Sequence, residues 1–63
     1  MLNRMKARRF LSGKTQDELM IETGINQAKI SRIERGYLKP TAEEREKLAK
    51  ALRLSPEELL SEE

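Results

Sequence analysis

The sequence predicts an all-α domain built from five short helices. Three observations carry this. Apolar residues recur three and four positions apart rather than alternating, which is the spacing of a helical face. Gly13, Gly24, Gly36, Pro40 and Pro56 divide the chain into helix-length segments. Three of those segments open on a Ser or Thr followed three residues later by Glu, the pattern of a capping box. No segment reads as a strand.

Each element follows from these marks. The first helix is expected from about Leu2 to Leu11, with Leu2, Met5 and Arg9 on one stripe and Gly13 as the left-handed residue that ends it. Thr15-Gln-Asp-Glu18 opens the second helix, and Gly24 stops it after about two turns. Asn26 is a good N-cap for the third, which ends before Gly36. Thr41-Ala-Glu-Glu44 opens a fourth helix running to Leu52. Ser55-Pro-Glu-Glu58 opens a fifth, with Pro56 in the first helical position. That last helix is short and is expected to fray into Ser61-Glu-Glu63. Each capping box contributes about 1 kcal/mol. Leu19, Ile25, Ile30, Ile33, Leu48 and Leu52 are the expected core.

Composition bounds the function. A chain of 63 residues is one domain with a thin margin of stability. It has no Cys and no His, which removes disulfides and the commonest zinc ligands. No nucleophile stands beside a base and no Gly-rich loop cradles phosphate, so the chain does not read as an enzyme, and no cofactor, metal or small-molecule ligand is expected. No apolar run approaches the ~18 residues of a membrane span, and Met1-Leu-Asn-Arg-Met-Lys-Ala-Arg-Arg9 lacks the apolar core of a signal peptide. The expected place is the cytoplasm, in association with the nucleoid. Charge is asymmetric. Residues 1–39 hold nine Lys and Arg against four Asp and Glu, a net +5. Residues 40–63 hold four against seven, a net −3, together making the +2 of the chain. A basic front suits an anionic polymer, though ordinary solvated helix surface accounts for it equally well.

Function concentrates in residues 16–35. Two short helices joined by Gly24-Ile25-Asn26 form a helix-turn-helix unit, whose second helix presents its N-terminal residues to base edges in the major groove. At about 100° per residue, Ile30, Ile33 and Glu34 share one side of the third helix. Ala28, Arg32 and Arg35 lie opposite, Lys29 and Ser31 flank them, and Gln27 sits in the first turn. That outer side is expected to carry no carboxylate, as a surface facing phosphates requires.

The run Thr15-Gln-Asp-Glu-Leu-Met-Ile-Glu-Thr-Gly-Ile-Asn-Gln-Ala-Lys-Ile-Ser-Arg-Ile-Glu-Arg-Gly36 resembles the core of the XRE-type, lambda-repressor-like helix-turn-helix family, the group of the lambdoid phage repressors and Cro. The likeness reaches outward to Arg9, to Lys39-Pro40-Thr41 and to Leu48-Ala-Lys-Ala-Leu52. It implies a compact five-helix, lambda-repressor-like DNA-binding domain spanning residues 1–63. It implies base contacts from Asn26, Gln27, Ala28 and Arg32: Gln27 to adenine, Arg32 to guanine, the Ala28 methyl to thymine. It implies phosphate contacts from Gln16, Lys29, Arg35 and Lys39, with Gln16 also bracing Gln27. Arg9 and Glu34 match a buried ion pair tying the first helix to the third. Three positions depart from the pattern: Met20 where Ala is usual, Thr23 where an apolar residue is usual, and Lys14 in place of a common Leu. These bear on how closely the helices pack. Ile21 is expected to be exposed.

The reading that follows is sequence-specific recognition of double-stranded DNA by a bacterial or phage transcriptional repressor or regulator. It is expected to act as a homodimer on two half-sites about one helical turn apart. Leu54, Leu59 and Leu60 form an apolar cluster larger than a frayed end needs, and are the expected dimer patch. Two other readings stay open: an antitoxin with the same DNA-binding fold, and a protein-interaction module that has lost DNA binding.

Overall fold

The computed structural model describes residues 4–59. Leu2, on the expected stripe of the first helix, lies outside them, as do Leu60 and Ser61-Glu-Glu63. Five helices follow in order: α1 (Arg4–Leu11), α2 (Gln16–Thr23), α3 (Gln27–Glu34), α4 (Ala42–Leu52) and α5 (Pro56–Leu59). The described residues contain no strand, and no helix among them is long and apolar enough to cross a membrane.

The helix starts form as their sequences dictate. The Thr15 hydroxyl accepts from the Glu18 amide at 3.1 Å, and the Glu18 carboxylate accepts from the Thr15 amide at 3.0 Å. Thr41 and Glu44 repeat this at 3.1 and 2.9 Å. Ser55 and Glu58 do so more loosely, both at 3.3 Å. Each pair satisfies two amides that a helix N-terminus leaves without intrahelical partners.

The helix ends share a second device. At the end of α1, Lys14 N donates to Arg9 O at 3.1 Å and Gly13 N to Phe10 O at 3.0 Å. The same nested pair closes α3, from Tyr37 to Arg32 and from Gly36 to Ile33, and α4, from Leu54 to Ala49 and from Arg53 to Lys50. This is the Schellman arrangement, whose turning residue is left-handed. In α4 that residue is Arg53, at φ 56° and ψ 43°. An L side chain is strained there by its Cβ. The turn it makes reverses the chain and folds α5 back onto α4 and α1.

That reversal corrects the expected dimer patch. Leu59 is fully buried and Leu54 nearly so, both in one core cluster with Met5, Leu19, Ile25, Ile30, Ile33, Leu48 and Leu52. The apolar residues that look surplus on a frayed end are needed inside, because a domain this short has few others with which to close its core. Each fully buried Leu or Ile contributes about 1.5–3 kcal/mol. α4 is the central element, packing on α2, α5 and α1, while α3 rests against α2.

Candidate nucleic-acid interface

The turn between α2 and α3 is set by local chemistry. Gly24 takes φ 74° and its amide donates to Met20 O at 2.7 Å. Thr23 then serves both sides of the break. Its hydroxyl donates to Leu19 O at 2.7 Å and accepts from the Ile25 amide at 3.2 Å. An apolar residue at this buried site fills space but leaves that amide unpaired, so the departure at Thr23 is a second cap. Met20 packs partly buried against the core, its flexible side chain filling the space between helices. Lys14 donates to Ala51 O at 2.8 Å and pairs with Glu22 at 2.9 Å, tying the α1–α2 loop to the end of α4. All three departures thus have partners in the fold. Ile21 is 78% exposed.

Asn26 caps α3 through its side-chain oxygen, which accepts from the Ala28 amide at 2.8 Å. From there α3 divides into two sides. Ile30, Ile33 and Glu34 are buried, and Ala28, Arg32 and Arg35 are exposed. The buried carboxylate anchors a chain of contacts that runs out to the surface. Arg9 holds Glu34 through two bonds, Nε to Oε2 at 2.7 Å and Nη2 to Oε1 at 3.1 Å. Its remaining nitrogen donates to Lys14 O at 3.0 Å. The Phe10 ring lies 5.0 Å from the guanidinium. Glu34 Oε1 also accepts from Gln16 Nε2 at 3.0 Å, and Gln16 Oε1 accepts from Gln27 Nε2 at 2.6 Å.

The order of these bonds fixes the polarity of both amides. A carboxylate only accepts, so Gln16 turns its nitrogen toward Glu34 and its oxygen toward Gln27. Gln27 must answer with an N–H. It keeps one N–H and its Oε1 for another partner, a donor beside an acceptor at the first turn of α3. Gln16 and Gln27 line an open groove with Lys6, Phe10, Lys14 and Asp17. Phe10 carries no signal of this role in the sequence, whereas Lys6 reads there as either a solvated cation or an interface one. Their place on this groove depends on α1 ending beside the start of α2.

The cations of the interface differ in their surroundings. Arg32, Arg35 and Lys39 are exposed and pair with no carboxylate among the described residues. Lys29 is different: its ammonium lies 2.6 Å from Glu44 Oε2, at the start of α4. The Lys29 bond, then the Thr41 amide, hold the Glu44 carboxyl below the usual carboxylate range. Sequence reasoning missed this carboxylate. Glu44 reads from sequence as a capping residue, and only the fold brings it to α3. Among the described residues no three acidic groups cluster to hold a metal.

Two eight-residue helices around a tight glycine turn, the second with a buried apolar side and an exposed polar one, define a helix-turn-helix domain, a DNA-binding kind of fold. The chain matches the family described as Helix-turn-helix domain over residues 2–61, and it belongs to that family. None of the curated proteins matches it.

Proposed function

We propose that this domain recognises double-stranded DNA by sequence, with α3 in the major groove, as a transcriptional regulator of the lambda-repressor-like kind acting to repress. The observation that carries the reading is the amide relay from Glu34 through Gln16 to Gln27. It holds a donor–acceptor pair at the start of α3 in one orientation, and that pair complements the N7 and N6 edge of adenine. Arg32 faces outward for guanine, and the Ala28 methyl suits thymine. The free side-chain nitrogen of Asn26 serves the same edge. Gln16, Arg35, Lys39 and, more weakly, Lys29 contact phosphates, which position the helix without reading sequence.

One copy makes few base contacts, and two copies on adjacent half-sites double them. In this reading the copies meet through surfaces other than Leu54 and Leu59, on cytoplasmic, nucleoid-borne DNA. Selection from a random duplex library tests the proposal. A recovered consensus, bound with log affinity falling against log salt by about 0.9 per neutralised phosphate, supports it. No enrichment and no salt dependence overturn it and favour a protein-interaction module. Sedimentation on the recovered site tests the pairing, which one bound chain per site overturns.

A further inference from the structure

We infer that Glu44 is an intramolecular stand-in for phosphate that restrains Lys29 and sets duplex affinity below what the cations of the interface allow. The inference rests on the DNA-binding reading above. Lys29 lies one position from Ala28 on the helix that carries Gln27 and Arg32, where a phosphate contact belongs. Its ammonium is instead held at 2.6 Å by a carboxylate from another helix.

The carboxylate is itself held in place. Glu44 Oε1 accepts from the Thr41 amide at 2.9 Å, which aims Oε2 at Lys29. Only about a fifth of the Glu44 side chain is exposed, against more than a third of Lys29. The restraint is therefore selective. Arg32, Arg35 and Lys39 have no such carboxylate among the described residues. A phosphate that approaches Lys29 must displace Glu44 and then lie beside its freed negative charge. Contacts that steady any duplex are weakened in this way, while Gln27 and Arg32, which read bases, are untouched. Affinity for every duplex is lowered alike, and the difference between sequences, which Gln27 and Arg32 set, is left unchanged.

Glu44→Gln isolates the effect, because Gln keeps the capping box and removes the charge. Glu43→Gln is the control. It removes the same charge from the same turn, but Glu43 pairs with Lys47 at 3.2 Å and not with α3. In titrations at about 0.1 M salt, Glu44→Gln is expected to bind a non-cognate duplex about two- to five-fold more tightly than the parent, the range of an exposed ion pair. The log–log salt slope steepens by up to about 0.9, one added phosphate contact. Adding Lys29→Ala to Glu44→Gln removes the gain. Equal gains from Glu43→Gln and Glu44→Gln, an unchanged or weaker Glu44→Gln, or a gain that survives Lys29→Ala would each overturn the inference. If the parent domain binds no duplex at all, the DNA-binding reading falls first and the inference falls with it.

Discussion

The side-chain oxygen of Gln16 accepts a 2.6 Å hydrogen bond from the Gln27 amide, and Gln16 is itself anchored on buried Glu34. A residue on α2 thereby decides which way a residue on α3 presents its donor and acceptor. Gln27→Ala should lower discrimination at one base-pair position by about 1–3 kcal/mol. Gln16→Ala should lower it at the same position, because Gln27 then turns freely. Arg32→Ala should act at a different position. Competition between duplexes differing at single base pairs reads all three. If Gln16→Ala weakens every duplex equally, the relay does not transmit specificity.

The Arg9–Glu34 pair separates stability from recognition. Arg9→Met leaves a buried carboxylate without its guanidinium and should cost about 3–5 kcal/mol in urea unfolding. Arg9→Met with Glu34→Leu should recover most of that loss, since an apolar pair replaces a desolvated ionic one at little cost. The double variant should nevertheless lose base preference where Gln27 acts, because nothing then orients Gln16. Recovery of both properties together would sever the connection between the buried pair and the surface.

Arg53 stands at a left-handed position, where the corresponding turns after α1 and α3 use Gly13 and Gly36. Arg53→Gly relieves the Cβ strain and should raise stability by about 0.5–1 kcal/mol, net of the extra freedom glycine gives the unfolded chain. Gly24→Ala is the converse. A Cβ there meets nothing within 4 Å, so its cost is conformational alone, about 1 kcal/mol. Thermal melts of the two variants should shift in opposite directions.

The capping carboxylates link stability to pH. The Thr15 backbone amide holds Glu18 below the usual carboxylate range, the Lys29 ammonium does so for Glu44, and the Ser55 hydroxyl for Glu58. A group whose pKa is lower in the folded state stabilises fully above its unfolded pKa, and loses that contribution as pH falls through the folded value. The melting temperature should therefore be level near neutrality and fall as pH drops through and below the ordinary carboxylate range. Replacing all three with Gln keeps the caps but should flatten that fall. An equally steep acid limb in the triple variant would place the titration elsewhere.

Helix starts and stops were readable because they are local. A Thr hydroxyl and a Glu three residues on meet through one turn of backbone, whatever surrounds them. The two sides of α3 were readable for the same reason, since residue spacing alone puts Ile30 and Ile33 opposite Ala28 and Arg32. Thr23 was harder: its hydroxyl bonds are local, but their value comes from burial, which neighbouring helices impose.

Contacts between elements needed the fold. Leu54 and Leu59 looked like an interface because nothing in their own segment covers them; the reversal at Arg53 turns them inward. Lys29 looked like a free cation because its partner is 15 residues away on α4. Family resemblance pointed to Arg9 with Glu34 and to Gln16 with Gln27, but distances and bond order came only from the packed helices. Periodicity and caps are properties of a few adjacent residues. Which side chains share a core, and which charges meet, depends on how the helices pack around α4.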